Sequence, residues 1–151
     1  MRTKRIIGLL VAVFMILVAS IAFAQPWKGW RGSGGWGMGN PYQRNYNPAT
    51  VETISGVVES VNQVTPIKGM SPGIELIVKT DKETIPVHLG PAYYIERLDV
   101  KIEKGDKIEV KGSRVTISGK ATIIAGEIRR GDSVLKLRDD AGIPIWSGWR
   151  S

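Results

Sequence analysis

The sequence predicts a mainly β domain: a small Greek-key barrel of five to six strands with one short helix between strands three and four. Three observations predict it. From residue 50 onward, apolar and polar residues alternate in short runs, as half-buried strands require. Gly-containing turn signals separate those runs. The period shifts once, at GPAYYIERLDV (90–100), where a helix fits better than a strand. A chain of 151 residues, 42% hydrophobic and 23% charged, has room for one globular domain.

The elements follow in order. VETISGVVESVNQV (51–64) is long and carries Gly56 midway, which predicts a strand bent by a bulge, its halves serving different parts of the sheet. After TPIKGMSPG, the run IELIVKT sets Ile74, Leu76 and Val78 against Glu75 and Lys79. ETIPVHLG then places Ile85, Val87 and Leu89 on one face and Thr84, Pro86 and His88 on the other. Gly90-Pro91 opens a helix of about two turns whose buried stripe is Tyr94, Ile95 and Leu98. KGDKIEVKGSRVTI, the turn Ser118-Gly119-Lys120, ATIIAGEI, the turn Arg130-Gly131-Asp132 and SVLKLRD complete the strands. Three strands, a helix, then strands again is the order of an OB-type barrel, in which the helix closes one end. An SH3-like barrel or a small sandwich has no place for that helix.

The flanks read differently. Arg2, Lys4 and Arg5 precede an uncharged apolar run, residues 6–24, that ends in Ala22-Phe23-Ala24, so residues 1–24 are expected to be a signal peptide. The alternative is an uncleaved inner-membrane anchor facing the periplasm, since the run nearly matches the roughly 20 residues a span needs. Residues 25–49 mix Gly, Pro, Asn, Trp and Tyr without an apolar period, as a flexible arm would. Gly32, Gly34 and Gly37 match the spacing G-x-G-x-x-G, but the phosphate-binding version must follow a strand and open a helix. The barrel is expected over 50–138, with a Trp-containing tail, 139–151, packed on it.

Charge and composition narrow the function. The net charge of +7 arises almost entirely before residue 50: residues 50–151 hold 15 basic and 14 acidic side chains. Single-strand binding by such a barrel needs a basic groove with stacked aromatics, whereas every Trp lies outside residues 50–145 and only Tyr93 and Tyr94 are aromatic within the barrel. A nucleic-acid role would fall to the Trp-rich basic arm. The absence of Cys removes disulfides, thiolate chemistry, thiolate zinc sites and C-x-x-C-H haem attachment.

His88 is the only histidine. Its place in the alternation predicts an outward-facing surface residue, and no spacing nominates a nucleophile and carboxylate to join it in catalysis. Met38 and Met70 are the soft donors that would accompany it in a copper site. Asp139 and Asp140, beside Gly142, read as a turn, because the ordered oxygen spacing of a calcium loop is missing. No catalytic residue, metal or cofactor is expected.

One phrase occurs twice: W-x-G-W-R spans residues 27–31 and 146–150. The second copy follows an extended Pro segment, so Trp146 is expected to lie back over an open apolar edge of the barrel as a lid. The first copy suits an exposed arm that meets a partner or a membrane interface. The candidate binding residues are therefore His88, Tyr93, Tyr94, Trp146, Trp149 and Arg150, and the contacting arm residues are Trp27, Trp30, Arg31 and Trp36.

The runs VHLGPAYYIE (87–96), KGDKIEVKGSRVTI (104–117), ATIIAGEI (121–128) and LKLRDDAGIPIWSGW (135–149) resemble the exported bacterial OB-fold domain of the magnetosome proteins MamS and MamX. The resemblance implies the same barrel and a link to metal or redox assemblies. Haem-bearing members carry C-x-x-C-H, so covalent haem does not transfer to a chain without Cys. The expected function is a non-enzymatic periplasmic binding or accessory module for a protein partner or small solute. A membrane-tethered assembly factor for a metal or redox system is the alternative.

Overall fold

The computed structural model describes residues 33–146. Six strands and one helical turn follow in order: β1 (Val51–Val64), β2 (Gly73–Lys79), β3 (Thr84–Pro91), α1 (Ala92–Ile95), β4 (Lys107–Ile117), β5 (Lys120–Arg130) and β6 (Ser133–Lys136). The sheet order β3-β2-β1-β4-β5-β6 is closed by a parallel pairing of β3 with β5 at Val87–Ile123 and His88–Ile124. This ring is the predicted OB-type barrel.

β1 serves two parts of the sheet, as its length and Gly56 imply. Val51–Val57 pairs with β4, and Val57–Val64 pairs with β2. A Cβ at Gly56 would sit 2.4 Å from the Lys79 carbonyl oxygen, so only Gly lets β2 approach there. The bulge itself falls slightly later, between Val58 and Ser60. The alternation places Leu76, Val78, Ile85, Val87, Leu89, Ile108 and Val110 in the core.

Two further bulges matter for the site. Ile74 pairs with Gly90 but Glu75 pairs with His88, which leaves Leu89 as the extra residue of β3. Lys111 pairs with Glu127 but Gly112 with Ala125, which leaves Gly126 extra on β5. Each bulge frees backbone groups from the ladder, and they must bond elsewhere.

The helix is shorter than predicted. β3 runs through Pro91, which caps the helix from outside, and a single α turn follows. Arg97 and Leu98 then donate to Tyr94 and Ile95, three residues back, so the chain tightens instead of extending the helix. Tyr94 and Ile95 are buried, with Leu98 packed beside them.

The segment expected to be a flexible arm differs most. From Ser33 it packs against the barrel, and Trp36 and Tyr42 join the core. Two 3₁₀ turns, Gln43–Asn45 and Pro48–Thr50, lead it into β1, and the Ser113 hydroxyl accepts from the Asn47 amide at 2.9 Å. The aromatic side chains that the barrel strands lack are supplied by this segment and by the tail. Trp36 lies over Gly73, where a Cβ would come within 2.1 Å of the indole. Gly73→Ala is accordingly expected to displace Trp36 and destabilise the fold by about 1–3 kcal/mol, the usual cost of overpacking. A red shift in the native tryptophan emission would report the displacement; unchanged emission and stability would refute it.

Among the described residues, no helix is long and apolar enough to cross a membrane.

Candidate functional site

Outward-facing residues of β2 and β3 form one end of the site. Glu75 and Ile77 alternate with the core residues of β2, and Thr84, Pro86 and His88 alternate with those of β3. They line a cleft of about 640 Å³, completed by Val64 at the end of β1, by Thr65 and Pro66 from the β1–β2 loop and by Ile117, Ser118, Lys120, Ala121 and Thr122 around the β4–β5 turn. The cleft is lined by the Glu75 carboxylate, the His88 imidazole, the Lys120 ammonium, hydroxyls and aliphatic groups, and no Phe, Tyr or Trp is among its lining residues.

Its polar floor arises from strand register. Glu75 and His88 are direct cross-strand partners on one face, which brings their side chains together. The imidazole Nε2 lies 3.3 Å from Glu75 Oε2. On its other side, Nδ1 lies 3.0 Å from the Tyr42 hydroxyl, and the two rings stack with centroids 5.9 Å apart. His88 is thus 3% exposed. This corrects the surface position expected of it: the side chain does leave the barrel outward, but the N-terminal segment roofs it with Tyr42.

Protonation states follow from these surroundings. Burial, followed by the nearby Arg138 charge, pushes His88 down to about 4. Burial raises the Tyr42 phenol well above its ordinary value, so it keeps its proton. The phenol therefore donates to Nδ1, and the neutral imidazole turns its Nε2–H toward Glu75. Burial also raises the Glu75 pKa, with Lys120 opposing. The result is a hydrogen-bonded chain, Tyr42 to His88 to Glu75, running from the core to the cleft floor.

A pH dependence follows. Because His88 titrates near 4 when folded and near 6.5 when unfolded, the unfolded chain binds more protons between those values. Its contribution to stability is complete above pH 6.5 and is lost as pH falls toward 4. Glu75, raised on folding, acts in the opposite direction and reduces the slope. Chemical denaturation across this window is expected to show His88→Gln with a shallower pH dependence than the natural protein; parallel curves would refute the assignment.

Arg138 stands behind this chain, and sequence reasoning missed it. It is 2% exposed, and its Nη1 donates to the carbonyls of Leu89 and Ala125, at the two bulges. Its Nε reaches Gln43 Oε1 at 3.4 Å, and its guanidinium lies 4.8 Å from the Trp146 ring centroid. Among the described residues no carboxylate pairs with it and Nη2 has no partner. Burial pushes its pKa down to about 10, so it remains a cation at neutral pH. The only sequence clue is its place directly before the acidic turn at Asp139.

The other predicted residues are brought together, but as packing. Trp146 is fully buried: it covers Gly90, tilts against Tyr94 at 5.4 Å, and donates from Nε1 to the Trp36 carbonyl at 2.9 Å. Tyr93 donates to the Ser33 carbonyl at 2.9 Å. Trp36 is fully buried and donates to the Ser71 carbonyl at 2.8 Å, which corrects its expected place on a partner-contacting arm. The partner of Trp146 is thus Trp36, which lies outside the first W-x-G-W-R copy. Trp27, Trp30, Arg31, Trp149 and Arg150 lie outside the described residues.

Of the soft donors weighed with His88, Met38 is exposed and Met70 packs on Gly35, while both imidazole nitrogens are engaged as above. Asp139 forms a turn, accepting from the Ala141 and Ile143 amides. Among the described residues, no three or more His, Cys, Asp or Glu side chains gather as a metal site would need.

The family model of the MamS/MamX magnetosome proteins matches residues 50–135. That span runs from the start of β1 to β6, so it covers the barrel and both walls of the cleft. No curated protein matches the chain.

Proposed function

Because this chain belongs to the MamS/MamX magnetosome protein family, we propose that it is a non-enzymatic accessory module of the periplasm that binds its ligand in the cleft above Glu75 and His88. The observation that carries the reading is the cleft itself, a cavity of about 640 Å³ with a half-buried carboxylate at its floor. OB-type barrels bind on the face of strands two and three, between the β1–β2 and β4–β5 loops, and the cleft occupies that position. The analogy rests on fold alone.

Three points support the remainder of the reading. The lone histidine is engaged at both nitrogens in a structural chain, which favours binding over catalysis. The apolar leader ending in Ala22-Phe23-Ala24 favours export. The family's description as magnetosome proteins favours an accessory role in such an assembly. The cleft lacks the aromatic platforms of single-strand binding.

Isotope-labelled protein mixed with periplasmic extract is expected to shift the amide resonances of residues 64–65, 75–77 and 117–122. Thr84→Trp, which fills the cleft from its exposed rim, is expected to abolish those shifts. Shifts confined to the Tyr93 and Trp146 seam would place the binding surface elsewhere and refute the reading. A native protein whose mass begins at Gln25 supports export with cleavage; a retained Met1 would overturn that part.

A further inference from the structure

We propose that the cleft takes a single primary ammonium group on an aliphatic chain, such as a lysine side chain or a free monoamine, with Glu75 as its counter-charge. The inference rests on the reading of the cleft as the binding site and adds the chemistry of what enters it.

The floor carries a carboxylate to which no cation is bonded among the described residues. Among the described residues, Glu75 receives one side-chain hydrogen bond, from His88 at 3.3 Å, and that imidazole is neutral. The Glu75 side chain is only 19% exposed, so its charge is partly stripped of water and gains from an N–H donor that enters. Lys120 acts on it through space without forming an ion pair among the described residues. Above the carboxylate, Pro66, Ile77, Pro86 and Ile117 supply aliphatic wall for a methylene chain, and Thr84, Ser118 and Thr122 add hydroxyls. An anion would meet Glu75 at the floor. A dication would meet Lys120 at the lip. A monovalent alkylammonium has Glu75 as its counter-charge and sets one positive charge, not two, against Lys120.

The test is a titration of the labelled protein at neutral pH with Nα-acetyl-lysine methylamide and, separately, with n-butylamine. Saturable shifts at Glu75, His88 and Lys120 are expected with at least one of them. Tighter binding of the lysine derivative points to a polypeptide source, and equal binding to a free amine. The Nε-acetylated lysine derivative, which lacks the charge, is expected not to bind. Glu75→Gln keeps an acceptor for His88 and should preserve the fold, yet weaken binding roughly tenfold or more, as loss of a charge-assisted hydrogen bond does. Lys120→Met is expected to tighten binding a few-fold by removing the like charge.

Undiminished binding to Glu75→Gln, equal binding of the acetylated derivative, or no saturable shift with either amine overturns the ligand class. Such a result leaves the cleft reading standing if periplasmic extract still shifts the cleft amides and Thr84→Trp still blocks them. Loss of the extract shifts as well would bring down both.

Discussion

Trp146→Ala is expected to lower the unfolding free energy by about 3–5 kcal/mol, the range for deleting a fully buried large aromatic side chain. The indole is 0% exposed, lies over Gly90 so closely that a Cβ there would come within 2.6 Å, and contacts Tyr94 and Arg138. Its removal empties a cavity that the surrounding strands cannot refill, because both barrel walls are fixed by hydrogen bonding. It also leaves the Trp36 carbonyl without the donor it now has at 2.9 Å. The consequence should spread to the N-terminal segment, so Trp36 is expected to become quenchable in the variant while the strands persist. Equilibrium urea unfolding measures the loss. A change below about 1 kcal/mol would mean that the tail only rests on the barrel.

Arg138→Met is expected to have the second large effect, and two opposing terms set its size. Removing a buried, unpaired cation relieves a desolvation cost, and such replacements are often neutral or stabilising. Here the guanidinium also satisfies the carbonyls of Leu89 and Ala125, and each buried group left unbonded costs about 1–3 kcal/mol. The ladder cannot recover them, since both lie at bulges where the β3–β5 pairing ends. The net expectation is a loss of about 2–4 kcal/mol. A second readout separates this role from simple packing. The Arg138 charge helps hold His88 near 4, so the variant should titrate His88 at a higher pH. Imidazole resonances followed through a pH series would show it; an unmoved His88 with a destabilised fold would leave Arg138 a packing residue only.

Much of the barrel was legible in the chain because its strands obey a local rule. Ile74, Leu76, Val78, Ile85, Val87, Leu89, Ile108 and Val110 recur at every second position within their strands, and all are buried. The period-two pattern records which side chains face inward without reference to what lies across the barrel. Gly56 likewise announced a bent first strand through its missing Cβ. The site was harder to read. His88 looked like surface because alternation distinguishes in from out, and cannot reveal that a residue 46 positions earlier will cover the outward face. Trp36 looked like part of a linker because its segment has no apolar period, and a segment that folds onto a finished surface needs none.

The strand boundaries, the turn positions, the inward residues and the place of the short helix are thus carried by near-neighbour patterns, since each depends on backbone geometry over a few residues. The roof over His88, the pairing of Trp36 with Trp146 and the guanidinium that joins two bulges depend on contacts between residues up to 110 positions apart. No local pattern encodes such a contact. It exists because bulged strands leave carbonyls unbonded and small Gly residues leave hollows, and the chain satisfies both with whichever long side chains its two ends bring within reach.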